Sequence, residues 1–475
     1  MLDASLGEMV MEQEHIVILG AGISGLALAW FLKKQYGSAI RVTILEKNNR
    51  VGGWIQTIDH EGFLFEQGPR GCRPTGAGLE TLRLIQELNM EDEVILNDPA
   101  ATLRYLYYAN NLKLIPNNLL GLLRTPWLLK MVFFPMLFEW KKAKGNATDE
   151  SIYDFISRRL SPKIADYLID PMASGIYAGD IRKLSIKSTF SQMYEWEQKH
   201  GSLSKGIFSG SKSKEVTDPF LKKMLSCSLF SLKGGMESLI KQLASKLDAE
   251  IRLNTPAEKL VIKQEGIEIS TLQGVIQADH VFSTLSAQAL APLISPINDR
   301  LGSLISSVPS TSLAVVNVGY RSLKLKQNGF GYLIPSREKE QILGMVWDSS
   351  VFPQQNRSPD EVRLTVMLGG ELFPEVIDLP ETEIIAKAKY ALAKHLGIQN
   401  PPDSLLIQRK RAAIPQYLVG HEQKIQSIKQ ELSNLSPNIT LLGTSFNGVA
   451  VNECITTAKS AFIHLKDMLI CKKNK

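Results

Sequence analysis

Four short stretches of this 475-residue chain set residue types at spacings that can do chemistry. "GAGISG", residues 20–25, places Gly20, Gly22 and Gly25 directly after the apolar run "HIVIL" and directly before a helical pattern. With Ala21, Ile23 and Ser24 between them, the three glycines permit a tight turn, backbone approach to a pyrophosphate and close helix packing, with phosphate charge at a helix N-terminus. Glu46 ends the next apolar run, "IRVTILE", where a carboxylate accepts hydrogen bonds from the hydroxyls of an adenosine ribose and repels a 2′-phosphate. "RVGGWIQT" (50–57) adds a double glycine just beyond that acid. "FEQGPRGCRP" (65–74) sets Arg70 among Gly68, Pro69, Gly71 and Pro74, a loop suited to close main-chain approach.

These positions need a frame. A strand at 15–19, a helix over about 23–36 and a strand at 40–46 make a βαβ opening. From about residue 80 to 210 the pattern is helical, through "LETLRLIQELNM", "TDESIYDFISRRL" with Thr148 as its cap, and "SPKIADYLIDPM". Residues 209–224, polar and Lys-rich, read as a mobile connection, and "KGGMESLIKQLASKL" reads as a helix with Met236, Leu239, Ile240, Leu243 and Leu247 on one face. The remainder reads mostly as strands, at 251–253, 258–264, 267–271 and 278–284, then in "SLAVVNVGY", "ILGMVWDS" and "VRLTVMLGG", the last three forming an antiparallel sheet. "NITLLGTSFNGVAVNECITTAKSAFIHL" closes the chain as strand, Gly-rich turn and helix.

Composition narrows the classes. Hydrophobic content of 44% and charged content of 21% describe a soluble globular chain long enough for two or three domains. The net charge of +6 is spread along the chain without basic blocks, so nucleic acid is not indicated. Cys72, Cys227, Cys454 and Cys471 stand singly and the histidines lack ligand spacing, which argues against disulfides, a dithiol motif or a bound metal. The first fourteen residues hold four acids and no Lys or Arg, unlike a signal or transit peptide. "PWLLKMVFFPMLF" (126–138) is too short and interrupted to cross a bilayer. Residues 119–142, rich in Leu, Phe and Trp with flanking cations, fit either a bilayer interface or a helix packed inside the protein.

The double glycine at 52–53 resembles the second signature of the amine oxidase and phytoene desaturase flavoproteins, in which it passes beneath FAD; the residues alone would also fit a hairpin turn. No second G-x-G-x-x-G lies in strand and helix context, so electrons reaching a flavin would leave to oxygen, a quinone or another small acceptor. With "GGWIQT", "FEQGPRGCRP", "GFGYLIPS", "TVMLGG", "IPQYLVGH" and "GVAVNECI" in this order from about 14 to 465, the chain resembles the protoporphyrinogen oxidase family. The resemblance implies non-covalent FAD held by Gly20, Ala21, Gly22, Ile23, Ser24, Gly25, Glu46, Lys47, Trp54, the loop Gly68, Pro69, Arg70 and Gly71, then Ala257, Val449, Ala450 and Val451, the last group as a helix N-terminus aimed at the flavin pyrimidine edge. It implies a tetrapyrrole substrate whose propionate meets Arg70 and whose ring lies against Gly175, Phe330, Gly331, Leu333 and Met367, positions that plain core would explain equally well one at a time.

No side chain is implied as catalytic, the hydride going to the flavin, and no metal is implied. The expected fold class is α/β: a Rossmann-like FAD-binding domain (14–80, 211–300, 411–470), an inserted helical, membrane-associated domain (81–210) and a substrate domain (301–410) on an antiparallel or mixed sheet. The expected reaction is protoporphyrinogen IX to protoporphyrin IX with O2 as acceptor and H2O2 as by-product, in a cytoplasmic protein peripheral to the inner face of a membrane, with a homodimer compatible. Alternatives are a coproporphyrinogen III oxidase, an amine oxidase and a non-catalytic FAD-binding adaptor.

Overall fold

The structure, a computed structural model, describes residues 13–209 and 216–473. The readings made for residues 1–12 and 210–215 lie outside it. Five parallel strands form the sheet behind the glycine motif, in the order Ile439–Leu441, His280–Ser283, Glu14–Leu19, Ile40–Leu45, Glu250–Arg252. A parallel sheet needs both faces covered, and the last four residues of Glu14–Leu19 are accordingly all buried. One face packs against helix Ile23–Tyr36, itself covered by the closing helix Val451–Lys473. The other face packs against helices Ala287–Ile294 and His421–Leu435 and against the antiparallel strands Lys259–Lys263, Gly266–Thr271 and Gly274–Ala278. Three separated stretches of chain thus build one sheet with its covering layers.

The second sheet has seven strands, in the order Ser404–Pro415, Ser310–Tyr320, Val362–Gly369, Gly344–Val346, Gly331–Leu333, Arg104–Tyr108, Asn111–Ile115. All pairs are antiparallel except Gly331–Leu333 with Arg104–Tyr108, so the sheet is mixed. Helix Glu381–Leu396 covers one face through Ala314, Val316, Val318 and Leu364. The opposite face, carrying Val315, Asn317, Thr365 and Met367, turns toward the first domain: the Gln67 side chain donates from Nε2 to Asn317 Oδ1 at 2.8 Å.

Several expectations change. Residues 104–115 form a β-hairpin at the edge of the second sheet, inside the stretch expected to be helical; its alternating "RYLYY" and "NLKLI" are a period-two pattern that the surrounding helices obscured. The helix after "TDE" is capped by Ser151, whose hydroxyl accepts from Asp154 N, rather than by Thr148. "ILGMVWDS" pairs only at Gly344–Val346 and then turns into the short helix Asp348–Val351, while the longest strand, Ser404–Pro415, was not foreseen. Part of the 209–224 connection is ordered as helix Pro219–Met224, capped by Asp218.

Helix Pro126–Phe138 lies apolar side outward, with Phe133, Phe134, Leu137, Phe138 and Trp140 exposed. Directly behind it the chain is pinned by buried charge. Glu139 and Arg159, both fully buried, pair, and Glu139 also accepts from Ser202 Oγ and Leu203 N. Burial alone would raise the Glu139 carboxyl, but the bonds from Ser202, Leu203 and Arg159 outweigh it and hold it at about 2.

Candidate active site

The glycine motif does three different jobs. Gly20 has φ +101, and a Cβ there would sit 2.6 Å from Thr284 Oγ1. A Cβ on Gly25 would sit 2.1 Å from the Gly20 carbonyl oxygen, so the helix meets the strand at a distance only glycine allows. A Cβ on Gly22 would meet nothing within 4 Å. Helix Ile23–Tyr36 starts at this opening without a capping side chain or an acid in its first turn, so its first amides are left for an external anion. The second glycine signature crosses immediately below: Gly52 N donates to Ala21 O at 2.8 Å, and a Cβ on Gly53 would come within 3.3 Å of Gly22 Cα.

Glu46 is buried and fixed. Its Oε2 accepts from Ala21 N at 3.0 Å and its Oε1 from the Asn48 main-chain and side-chain nitrogens at 2.9 and 2.7 Å. Lys47 beside it is exposed, and Ala257 packs at the edge of the core under the sheet. At the closing helix, Val451 is buried and Ala450 exposed, and Ala450 N donates to Glu453 Oε2 at 3.0 Å, so the helix's own acid takes one of the amides expected to face the flavin. Val449 packs against the helical domain.

The loop "FEQGPRGCRP" changes meaning. A Cβ on Gly68 would lie 2.1 Å from the Trp54 carbonyl oxygen, and one on Gly71 would lie 2.6 Å from the Phe230 carbonyl oxygen. Cys72 and Phe230 exchange two main-chain hydrogen bonds of 2.9 Å. The loop's two glycines are therefore required by the chain's own crossings. Gln67, 2% exposed, leaves its Oε1 without a hydrogen bond among the described residues, a buried acceptor suited to a flavin N–H.

Arg70 has a partner that was not anticipated. Its Nε stands 3.1 Å from Asp348 Oδ1, while Asp348 Oδ2 accepts from Thr365 Oγ1 at 2.6 Å. Asn317 Nδ2 donates to Thr365 Oγ1 at 3.0 Å, and Gln67 donates to Asn317, so one polar chain runs from Arg70 to the cofactor-side loop. Burial pushes the Glu66 carboxyl up to about 7, partly offset by bonds from Met236 N and the Thr57 hydroxyl.

The expected ring-binding positions fall in two groups. Phe330 and Met367 pack in one cluster with Val346 and Phe352. Phe330 N donates to Leu103 O, and a Cβ on Gly331 would lie 2.1 Å from Met345 O. Gly175, on helix Asp170–Tyr177, faces Leu333, whose Cδ2 is 2.8 Å from a Cβ placed there. Arg104 was missed. It lies on the unforeseen hairpin with its guanidinium carbon 5.2 Å from the centre of the Phe330 ring, and burial, then the Arg73 charge, lower its pKa. Only recognition of the hairpin could have placed it here.

These features define an FAD-dependent oxidoreductase, and the chain belongs to the flavin-containing amine oxidoreductase family, whose sequence model matches residues 23–461. Within it the chain sits with the protoporphyrinogen oxidases, at 36% identity to the protein of that name from Bos taurus over 94% of this chain and 97% of the relative. It is 28% identical to a coproporphyrinogen III oxidase of Bacillus subtilis over 94% and 97% of the two chains. A crystal structure from Exiguobacterium, a candidate protoporphyrinogen oxidase, shares the fold with a TM-score of 0.81, at 24% identity over 96% of this chain and 99% of the other. The open space above Gly22, the uncapped helix and the unpaired Gln67 oxygen fit FAD.

Proposed function

We propose that the protein oxidises protoporphyrinogen IX to protoporphyrin IX in haem biosynthesis, removing six electrons in three rounds with dioxygen as acceptor and hydrogen peroxide as by-product. The observation that carries this reading is an apolar cluster containing Phe330 and Met367, with the Arg104 guanidinium 5.2 Å from the Phe330 ring centre and Arg70 paired with Asp348, whose helix gives Val351 to the same cluster. Bound FAD supplies the hydride acceptor. Arg70 and Arg104 bind carboxylates, each charged hydrogen bond contributing about 1.5–3 kcal/mol. Asp348 keeps Arg70 in place from its Nε edge. Phe330 and Met367 offer apolar surface to the ring, Leu333 packs on Gly175, and Gly331 lets its strand close on the Met345 carbonyl. The pyrrole proton leaves to solvent. The Glu66 carboxylate is occupied by Met236 and Thr57 and takes no part in the transfer.

The deciding experiment is anaerobic reduction of the purified flavoprotein by protoporphyrinogen IX and coproporphyrinogen III in parallel. Faster reduction by protoporphyrinogen supports the reading, and preference for the tetracarboxylate overturns it. A primary amine as sole donor separates the amine oxidase alternative.

We propose further that the Pro126–Phe138 helix rests in a membrane surface, in keeping with its exposed aromatic side and with Lys141, whose Nζ lies 5.3 Å from the Trp140 ring centre. No helix among the described residues is long and apolar enough to cross a membrane. Replacing Phe134 and Phe138 together by Ser should abolish cosedimentation with anionic lipid vesicles while leaving the flavin spectrum unchanged; unchanged cosedimentation would count against surface docking.

A further inference from the structure

Strand Ser404–Pro415 carries three consecutive cations, of which two are accounted for. Arg409 donates to the Ile377 and Leu379 carbonyl oxygens, and Arg411 pairs with Asp378. Alternation sends Lys410 to the opposite face of the sheet, opposite Leu313 and one step from the Val315–Gln408 pair. That is the face turned toward the cofactor domain. Lys410 is 9% exposed and makes neither an ion pair nor a side-chain hydrogen bond among the described residues. Its Nζ stands 5.9 Å from the centre of the Trp54 ring. Burial, then the charge of Arg50, push its pKa down. An ammonium stripped of much of its water in that position is costly unless an anion arrives.

The backbone around Lys410 is shaped to hold it there. The register slips between Thr311 and Leu313, Ala412 adopts φ 46, and its N–H donates to Ser312 Oγ at 2.9 Å, a bulge that re-aims this end of the strand. Trp54 follows Gly53, whose Cβ position lies 3.3 Å from Gly22 Cα, just before helix Ile23–Tyr36. Arg50, on the same segment, is tied by donation to the Val51, Ile55 and Gly53 carbonyl oxygens and pairs with Glu237 at 3.9 Å. Lys410 is thus the cation beside Trp54 that has no acid partner among the described residues.

We propose that Lys410 is a counter-ion to the pyrophosphate of bound FAD, supplied across the domain boundary by the substrate sheet and braced on Trp54. The glycine cradle then neutralises the cofactor from one side with helix amides and from the other with a lysine remote in sequence. Loading of FAD and docking of the two domains become linked, because the anion that Lys410 needs is present only when the cofactor is bound.

The test is reconstitution of full-length apoprotein, with FAD affinity followed by flavin fluorescence and with ADP, which carries the pyrophosphate without a flavin, as competitor. Lys410→Met should weaken FAD by roughly tenfold or more and ADP by a similar factor, while Lys410→Arg keeps both within about threefold of wild type. Should the Met variant not fold, Lys410→Gln replaces it, with thermal melting of the apoprotein as the control. Unchanged affinity for both ligands would overturn the proposal and leave Lys410 as a packing partner of Trp54. Weaker FAD with unchanged ADP would also overturn it, placing the charge at the flavin or ribityl group. Neither measurement involves the tetrapyrrole, so failure here leaves the proposed reaction standing.

Discussion

The proposed cofactor cradle and the proposed substrate chamber are built on opposite principles. The cradle is made of main chain: Gly20, Gly22, Gly25, Gly52 and Gly53 lie within a few dozen residues, and what matters is where a Cβ is absent. The chamber is made of side chains from segments far apart, linked in the chain Gln67, Asn317, Thr365, Asp348, Arg70. A backbone cradle tolerates almost no change at its crossings. A side-chain network should respond in steps, each partner contributing a separable amount.

The comparison breaks most easily at Gly22. Because nothing of the protein lies near its Cβ position, Gly22→Val should fold and melt as wild-type apoprotein yet retain essentially no FAD on purification; normal flavin absorbance would refute the cradle. Next comes Arg363, 1% exposed beneath the chamber, which donates to the Leu64 and Phe352 carbonyl oxygens and pairs with Glu361. Arg363→Met leaves that acid buried and unpaired and should cost about 3–5 kcal/mol in denaturant unfolding. A loss below about 1 kcal/mol would show that the network is not needed for the sheet.

A smaller effect is expected at Arg70. Arg70→Ala should raise KM roughly tenfold, equivalent to about 1.4 kcal/mol, with the flavin spectrum unchanged. Asp348→Asn should raise KM less, since the guanidinium remains but loses its brace; loss of FAD in either variant would move the arginine from the chamber to the cradle. The smallest effect concerns Glu66. Its carboxyl is raised in the folded state to about 7, so it stabilises the fold below its unfolded pKa near 4.5 and that contribution is lost as pH rises to about 7. Glu66→Gln should flatten this part of the Tm profile by on the order of 2 °C, and an unchanged slope would mean that Glu66 is already ionised in the fold.

The cradle was legible because its information is contiguous. A strand, three spaced glycines, a helix and an acid follow one another, and each residue's role depends on neighbours in sequence. The loop at 65–74 was legible as main chain in close approach, but the crossings with Trp54 and Phe230 that its glycines also serve were not. Glu453, three residues beyond Ala450, was visible in the sequence, yet its reach back to that amide was not read. Arg104 was hidden because its hairpin sits between helices and pairs with a strand more than two hundred residues later. Resemblance supplied Phe330, Gly331, Leu333, Met367 and Gly175, which composition alone could not separate from core; the structure packs Phe330 with Met367 and Gly175 with Leu333, and their role is left to the substrate experiments.

By itself the sequence determined the βαβ opening and its dinucleotide chemistry, since turn, approach and helix start are local properties of the backbone. The partner of Arg70, the placing of Arg104 and the unpaired charge of Lys410 were decided by tertiary structure alone. Each depends on which strands become neighbours in the mixed sheet, and that pairing is set by the burial of whole faces rather than by any short run of residues.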